Sequence, residues 1–257
     1  MNFNLLDIYI LATFFIAGLA HGIVGFSFAL IATPILALKL PNQEAILLTI
    51  IPTIWANIFT ALKIKDALPT LKHYTIFFIF IALGCIIGTY LLFIIPPILF
   101  NLFLVTIIWF YLYIDYKKSQ IRLNLKSKKW LYFIGLLAGM ATGISNIMSP
   151  ILLIYFLSQK IDNTKIILLS NISFLTAKIV QLIIFSKYNL ISKEYFGLTV
   201  VILIIISFAL TLGKKIREFN FIFSNYKKIV KAFIFIISLI LLFKILSSLP
   251  SVYSKYS

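Results

Sequence analysis

The chain has 257 residues, of which 62% are hydrophobic and 12% charged, whereas soluble domains average about 45–50% apolar and 25% charged residues. Its 23 Lys and Arg against 7 Asp and Glu give a formal net charge of +16, but no nucleic-acid-binding module accompanies that charge. The composition excludes an ordinary soluble domain, argues against nucleic-acid binding, and predicts an integral membrane protein whose basic loops face anionic lipid and the cytoplasm.

Apolar runs with few or no charges follow one another along the whole chain. Six have about the 20 residues that a membrane-spanning helix needs, whereas the first and fifth have 31 and 28. A helix of about 30 residues is about 45 Å long and exceeds the ~30 Å hydrocarbon core, while two crossings need about 40 residues. We therefore expect each long run to be a broken helix or a pair of half-helices that enters and returns. The runs are 8–38, 45–62, 74–95, 98–114, 130–157, 166–186, 195–212 and 232–249.

Glycine and proline are concentrated in the two long runs. Gly18-x-x-x-Gly22 and Gly139-x-x-x-Gly143 superimpose with a shift of 121 residues, and the segments that follow align with a shift of about 120. This pattern indicates an internal duplication. The predicted organisation is a first membrane repeat at 1–116, a basic connecting loop at 117–129 and a second membrane repeat at 130–257.

The distribution of Lys and Arg between the two sides of the membrane distinguishes two topologies. If all eight runs cross once, the loops on the two sides hold 12 and 9 of these residues. If the first and fifth runs return to the side they entered, the sides hold 17 and 4, which obeys the positive-inside rule far better. Each half then has one re-entrant segment plus three spans, and this odd number inverts the second half. The predicted fold is an all-α polytopic membrane protein with an inverted repeat; eight simple transmembrane helices are the alternative.

The sequence GISNIMSP, residues 143–150, places polar residues inside the fifth apolar run. Unpaired backbone groups are not tolerated in hydrocarbon, so a break there must be covered by protein or line a wet cavity. We expect Pro34 and Pro150 to interrupt the helices, and the free N–H groups of half-helix starts suit an anion. The predicted lining of an anion site is Gly22, Gly25, Ser27, Thr33, Gly143, Ser145, Asn146 and Ser149. For Gly18, Gly22, Gly135 and Gly139, tight helix packing is the interpretation favoured over a role in binding.

Two ionisable residues lie inside apolar runs. Lys178 has no acidic residue in its run, and a charge at mid-membrane costs at least about 2.5–3.5 kcal/mol. We interpret it as a cation that attracts an anionic substrate; snorkelling along a tilted helix to the interface is the alternative. His21 is a candidate proton relay, with a hydrogen-bonded structural role as the alternative.

No enzyme constellation accompanies these residues: the sequence has no paired carboxylates within a run, no His-rich metal spacing, no phosphate loop and no ATPase motif. We expect no enzymatic activity, no cofactor and no metal. The predicted function is a secondary transporter that moves a small anion across a lipid bilayer; a non-transporting membrane subunit that scaffolds partner proteins is the alternative. The coupling ion, H⁺ or Na⁺, and homo-oligomer formation are left open.

The chain resembles the sulfite exporter TauE/SafE-like permeases in the order of its features. The segments that carry the resemblance are AGLAHGIVGFSFALIATPILAL, PNQEAILLTIIPTIWANIFTALK and GLLAGMATGISNIMSPILLIYFL. Members have a Gly-rich stretch ending in Pro-x-Leu in each half, often with Gly-Gly-Pro and a following tyrosine in the second; here these are Met148-Ser149-Pro150 and Tyr155. The resemblance implies a multi-pass permease of the bacterial inner membrane that moves sulfite, organosulfonates or related anions. The chain departs from the family pattern at Gly25-Phe26-Ser27-Phe28 and at Asn146, Met148 and Ser149.

Overall fold

The computed structural model describes residues 4–64, 67–117, 127–159, 161–188 and 196–218, with four helical residue pairs between 235 and 246. Most of the connecting loop 117–129 and of the last apolar run lies outside the described residues. Among the described helices, five are long and apolar enough to cross a membrane: the first, third, fifth, ninth and tenth. In chain order the helices are α1 (Leu5–Val24), α2 (Phe28–Ala37), α3 (Asn42–Ala61), α4 (Ala67–His73), α5 (Thr75–Ile94), α6 (Pro97–Tyr116), α7 (Lys128–Ser145), α8 (Ser149–Ser158), α9 (Asn163–Lys187) and α10 (Phe196–Glu218).

Both long apolar runs are interrupted by a break of three residues. The first break, 25–27, separates α1 from α2, and the second break, 146–148, separates α7 from α8. Gly25 and Asn146 end the preceding helices in the left-handed region, with φ of 90° and 62°. Gly lacks the Cβ that opposes this conformation, and Asn is among the side-chain-bearing residues that best tolerate it. These two residues are 121 positions apart, as are the glycine pairs of the sequence repeat.

The prolines do not form these breaks, contrary to the expectation from the sequence. Pro34 is the seventh residue of α2, and Pro150 is the second residue of α8. A proline in the first turn of a helix is tolerated because its missing N–H would have no partner within the helix. Each preceding helix ends at a residue with positive φ, not at a proline, whose backbone N–H is missing.

Helix α2 folds back along α1. The Tyr9 hydroxyl, near the start of α1, donates to the carbonyl of Ile35, near the end of α2. The Lys39 ammonium lies 4.6 Å from the centroid of the Tyr9 ring. Phe14 stacks on Phe28 at the start of α2, with ring centroids 5.8 Å apart. The two helices are therefore antiparallel, and all ten residues of α2 are buried.

Helices α5 and α7 pack closely through glycine. An added Cβ at Gly139 would collide with the carbonyl of Ile81, and one at Gly143 would lie 2.5 Å from the Thr89 nitrogen. Residue numbers increase together along this contact, so the two helices are parallel. Gly139 thus has the packing role expected for it, because it lets the backbones of α5 and α7 approach closely.

Helices α1 and α10 form a corresponding parallel pair. Gly18 lies against Ala209, and Gly22 lies against Gly213, where an added Cβ at Gly22 would be 3.0 Å from the Gly213 Cα. Helix α1 of the first sequence half therefore packs on α10 of the second half, and α7 of the second half packs on α5 of the first half.

The ends of the helices define two faces of the molecule. Gly22, Thr60 and Lys214, near the ends of α1, α3 and α10, line one cavity with Asn163 at the start of α9. On the opposite face, Phe93 near the end of α5 contacts Phe185 near the end of α9, with ring centroids 5.6 Å apart. Hence α5 and α9 run antiparallel to α1, α3 and α10, and α7 shares the direction of α5.

Candidate functional site

Lys178 lies at the centre of the protein, in the middle of α9, and its exposed fraction is 0%. Its ammonium donates to the Oδ1 of Asn146 and, at 2.7 Å, to the Oε1 of Gln181. The alternative interpretation, snorkelling to the interface, is wrong because the side chain ends in the protein interior. Among the described residues no carboxylate pairs with this ammonium; the recorded ion pair of α9 joins Lys165 to Asp162 at the start of the helix.

Asn146 connects this ammonium to the first half of the chain. Its Nδ2 donates to the Thr49 hydroxyl at 2.6 Å and to the Thr33 hydroxyl at 3.2 Å. Thr49 in turn donates to the carbonyl of Ile46 at 2.7 Å. With its nitrogen bound to hydroxyl oxygens, the amide must present its oxygen to Lys178. The Asn146 side chain at the second break is therefore held by α2, α3 and α9 together.

Gln181 joins the same network to the end of α7. Its Nε2 donates to the carbonyls of Thr142 and Gly143, at 3.2 and 3.4 Å. Gly143 provides one of the last carbonyls of α7, which the regular helical pattern leaves without a partner, whereas the Thr142 carbonyl also accepts from the Asn146 N–H at 2.8 Å. One amide side chain thus satisfies the helix end and accepts from Lys178.

The first break is held by α9 in a similar manner. The Nδ2 of Asn171 donates to the carbonyls of Gly25 and Ile167, each at 2.7 Å. Beside it, the Nε2 of His21 forms a 3.0 Å hydrogen bond with the Thr60 hydroxyl. The His21 Nδ1 and the Asn171 Oδ1 are buried and have no hydrogen-bond partner among the described residues.

The predicted repeat pairs the charged Lys178 with an uncharged residue in the first half. A shift of 121 residues relates Asn57 to Lys178 and Thr60 to Gln181. Asn57 is buried, and its Nδ2 donates to the Thr53 carbonyl at 2.7 Å. An amide in one half therefore corresponds to an ammonium in the other.

Serine hydroxyls at the starts of the two short helices have no partner among the described residues. Ser27 precedes α2 with a φ of 107°, which is strained for a residue with a side chain, and Ser149 is the first residue of α8. Ser170 and Ser173 of α9 have unpartnered hydroxyls as well. Buried polar groups are almost always hydrogen-bonded, so a buried hydroxyl without a partner requires an explanation. A solute that binds at these hydroxyls would provide the missing partner.

The structure brings together some of the predicted residues and separates others. Thr33, Asn146 and Lys178 form one hydrogen-bonded network. Ser145 is near in sequence, but its hydroxyl donates to the Ala141 carbonyl at 2.7 Å within α7. The predicted glycines have structural positions: Gly22 and Gly143 at helix contacts and Gly25 at the first break.

The predicted lining omitted Thr49 and Gln181 of the network and Asn171 at the first break. Asn171 and Gln181 were nevertheless noticeable in the sequence as amide side chains within apolar runs, where path lining and interhelical hydrogen bonding were equally good interpretations. Gln181 was open to prediction, because it lies three residues after Lys178 on the same helix face. Thr49 gave no comparable signal, since its partner Asn146 lies 97 residues away.

The groups at the centre are of kinds that bind anions. It combines one buried ammonium, side-chain hydroxyl and amide donors, and the starts of two short helices, whose free N–H groups carry partial positive charge. Among the described residues there is no group of three His, Cys, Asp or Glu side chains that could hold a metal ion.

The comparisons with known proteins give a family match. The family described as sulfite exporter TauE/SafE matches residues 10–246, which include both breaks and, apart from the first five residues of α1, all five long apolar helices. No curated protein and no solved structure matches the chain significantly. The apolar helices and this match over most of the sequence establish a membrane permease, and the chain belongs to the sulfite exporter TauE/SafE family.

Proposed function

We propose that the protein translocates a small anion through the centre between the two breaks, with Lys178 as its counter-charge. The observation that carries the proposal is the fully buried ammonium, whose identified partners are amide oxygens rather than carboxylates. A buried charge without an opposite charge is costly, so such residues in membrane proteins mark substrate or ion pathways. A scaffolding subunit would have no use for this arrangement.

The proposed substrate is a sulfur oxyanion such as sulfite, or an organosulfonate. The family match supports this class, and the donors at the centre are suited to oxygen atoms. Ser27 and Ser149 would donate to the solute from the starts of α2 and α8. His21, with one ring nitrogen bonded to Thr60, would relay a proton if transport is coupled to H⁺.

We further propose that the two halves, 1–116 and 130–257, form an inverted repeat in a bacterial inner membrane. The antiparallel directions of α1 and α7 support it, as does the return of α2 along α1. The count of 17 Lys and Arg on one side against 4 on the other supports a cytoplasmic location for the face where α1 and α3 end. Reporter fusions after residues 122 and 220 should report the same side; opposite sides would contradict the inverted arrangement.

Flux measurements on Lys178→Met test the transport proposal. The purified protein is reconstituted in liposomes, and uptake of radiolabelled sulfite is measured. We expect Lys178→Met to abolish flux, because the anion loses its counter-charge. Lys187→Met is the matched control, since it removes an exposed lysine from the end of the same helix. Undiminished flux in Lys178→Met would remove this residue from the mechanism.

A further inference from the structure

A basic cavity opens at the face where α1, α3 and α10 end and α9 begins. Its volume is about 420 Å³, within the range of about 300–1,000 Å³ that is usual for small-molecule sites. Three of its lining residues are cations: Lys63, just after α3, and Lys214 and Arg217, in the last turns of α10. The described residues that line the cavity include no carboxylate.

Lys214 and Arg217 lie close enough to the Lys63 ammonium for their charges to repel it. The pKa of Lys63 is lowered from 10.5 by partial burial and by the charges of Lys214 and Arg217. The Lys63 ammonium is held 3.5 Å from the centroid of the Phe59 ring, which also lines the cavity. A cation–π contact fixes the position of this charge without neutralising it. The cluster therefore retains a positive potential that a multivalent anion would relieve.

The inner end of the cavity adjoins the central site. Gly22, Thr60 and Ile167 line it. Thr60 is the residue that binds His21, and the Ile167 carbonyl accepts from Asn171. An anion in the cavity is thus separated from the first break by one layer of side chains.

The start of α9 contributes little free donor capacity. The N-cap residue Asp162 accepts from the backbone N–H groups of Thr164 and Lys165, at 2.9 and 3.3 Å. Attraction for an anion in the cavity must therefore come from the three cations, whose convergence focuses the field in a partly enclosed space.

We propose that this cavity is a second anion-binding site, which captures a small oxyanion through Lys63, Lys214 and Arg217 before it reaches the centre. The site goes beyond the proposed function, because binding here does not require Lys178. It takes the oxyanion group itself, whether from a free anion in water or from the phosphate of an anionic lipid. A cation funnel at the entrance raises the local anion concentration and the rate of capture.

Equilibrium binding of radiolabelled sulfite to Lys178→Met protein in nanodiscs of phosphatidylcholine tests this site without the central one. We expect binding to persist and to weaken about five- to tenfold in each of Lys63→Gln, Lys214→Gln and Arg217→Gln, as for loss of one charge-assisted contact. Lys215→Gln is the matched control, since this neighbouring exposed lysine of α10 does not line the cavity. Absence of binding, or equal binding in all four variants, would overturn the proposal.

Nanodiscs that contain phosphatidylglycerol distinguish the two sources of the oxyanion. Sulfite binding that phosphatidylglycerol does not displace supports capture of a free anion. The capture role would be overturned if sulfite did not bind in either lipid while phosphatidylglycerol raised the thermal stability of the protein. That gain in stability would be lost in Lys63→Gln. Persistent binding by Lys178→Met protein, together with undiminished flux in that variant, would refute the proposed role of Lys178 and leave this site intact.

Discussion

Replacing Asn146 with Asp would place a carboxylate next to the Lys178 ammonium, which the neutral amide of Asn146 does not provide. The two side chains have the same shape, and the Oδ1 of Asn146 already accepts from the Lys178 ammonium. The new carboxylate would form an ion pair with the ammonium and cancel the charge offered to a solute. We therefore expect transport to fall, with the temperature of unfolding unchanged or raised because a buried charge gains a partner.

The size of this effect follows from Coulomb's law. With an effective dielectric constant of about 20, a new negative charge opposes a monovalent anion by about 4 kcal/mol at 4 Å and by about 2 kcal/mol at 8 Å. Because Asn146 contacts Lys178, an anion that also contacts the ammonium would lie within these distances of the new carboxylate. These energies correspond to about 30- to 1,000-fold weaker binding.

Concentration-dependent sulfite flux into proteoliposomes measures the change, and thermal unfolding in detergent checks the fold. Asn4→Asp is the matched control: Asn4 is the exposed N-cap of α1, and Asp caps a helix as well as Asn. Flux within about twofold of the natural protein at low sulfite would refute the reasoning, because a compensated ammonium could then not be the anion's counter-charge.

Three further predictions concern stability. Gly139→Ala should lower the free energy of unfolding by about 1–3 kcal/mol, because the added Cβ would collide with the Ile81 carbonyl and lie 2.8 Å from the Cys85 nitrogen. Gly135→Ala, whose nearest neighbour would be 3.0 Å away, should cost less in the same unfolding assay, and the reverse order would contradict the packing described. Ser27→Gly should raise the unfolding temperature by relieving a positive φ, yet lower sulfite flux by removing a donor; a lower unfolding temperature would show that the backbone there is unstrained. Lys63→Met should raise the unfolding temperature at pH 7, because a lysine whose pKa is lowered in the folded state is destabilising while it is charged. This gain should shrink as the pH approaches 10.5, and a pH-independent difference would contradict the charge repulsion described.

The main features of the centre were open to prediction because they violate the expected pattern of a membrane helix. Lys178 is a charge within an apolar run, and GISNIMSP is a polar interruption of another. The excess length of two runs indicated that both helices must break. Such violations are local and can be detected in one sequence without knowledge of the partners.

The exact positions of the breaks and the partners of these residues could not be predicted from the sequence. The breaks occur at Gly25 and Asn146 because these residues adopt positive φ, whereas the missing backbone N–H of proline led us to expect interruptions at Pro34 and Pro150. The contact of Thr49 with Asn146 joins residues 97 positions apart, and periodicity carries information only about neighbours along a helix. The short helix α4 lies between apolar runs, where no run predicted a helix.

The pairing of α1 with α10 has a consequence for biosynthesis. Gly18 is translated about 190 residues before Ala209, against which it packs. Helix α1 must therefore remain in the bilayer without this partner, its small-residue stripe facing lipid or a chaperone, until α10 has been synthesised. A chain truncated before α10 leaves that stripe without its native partner, so quality-control proteases would encounter the truncated chain with this surface still exposed.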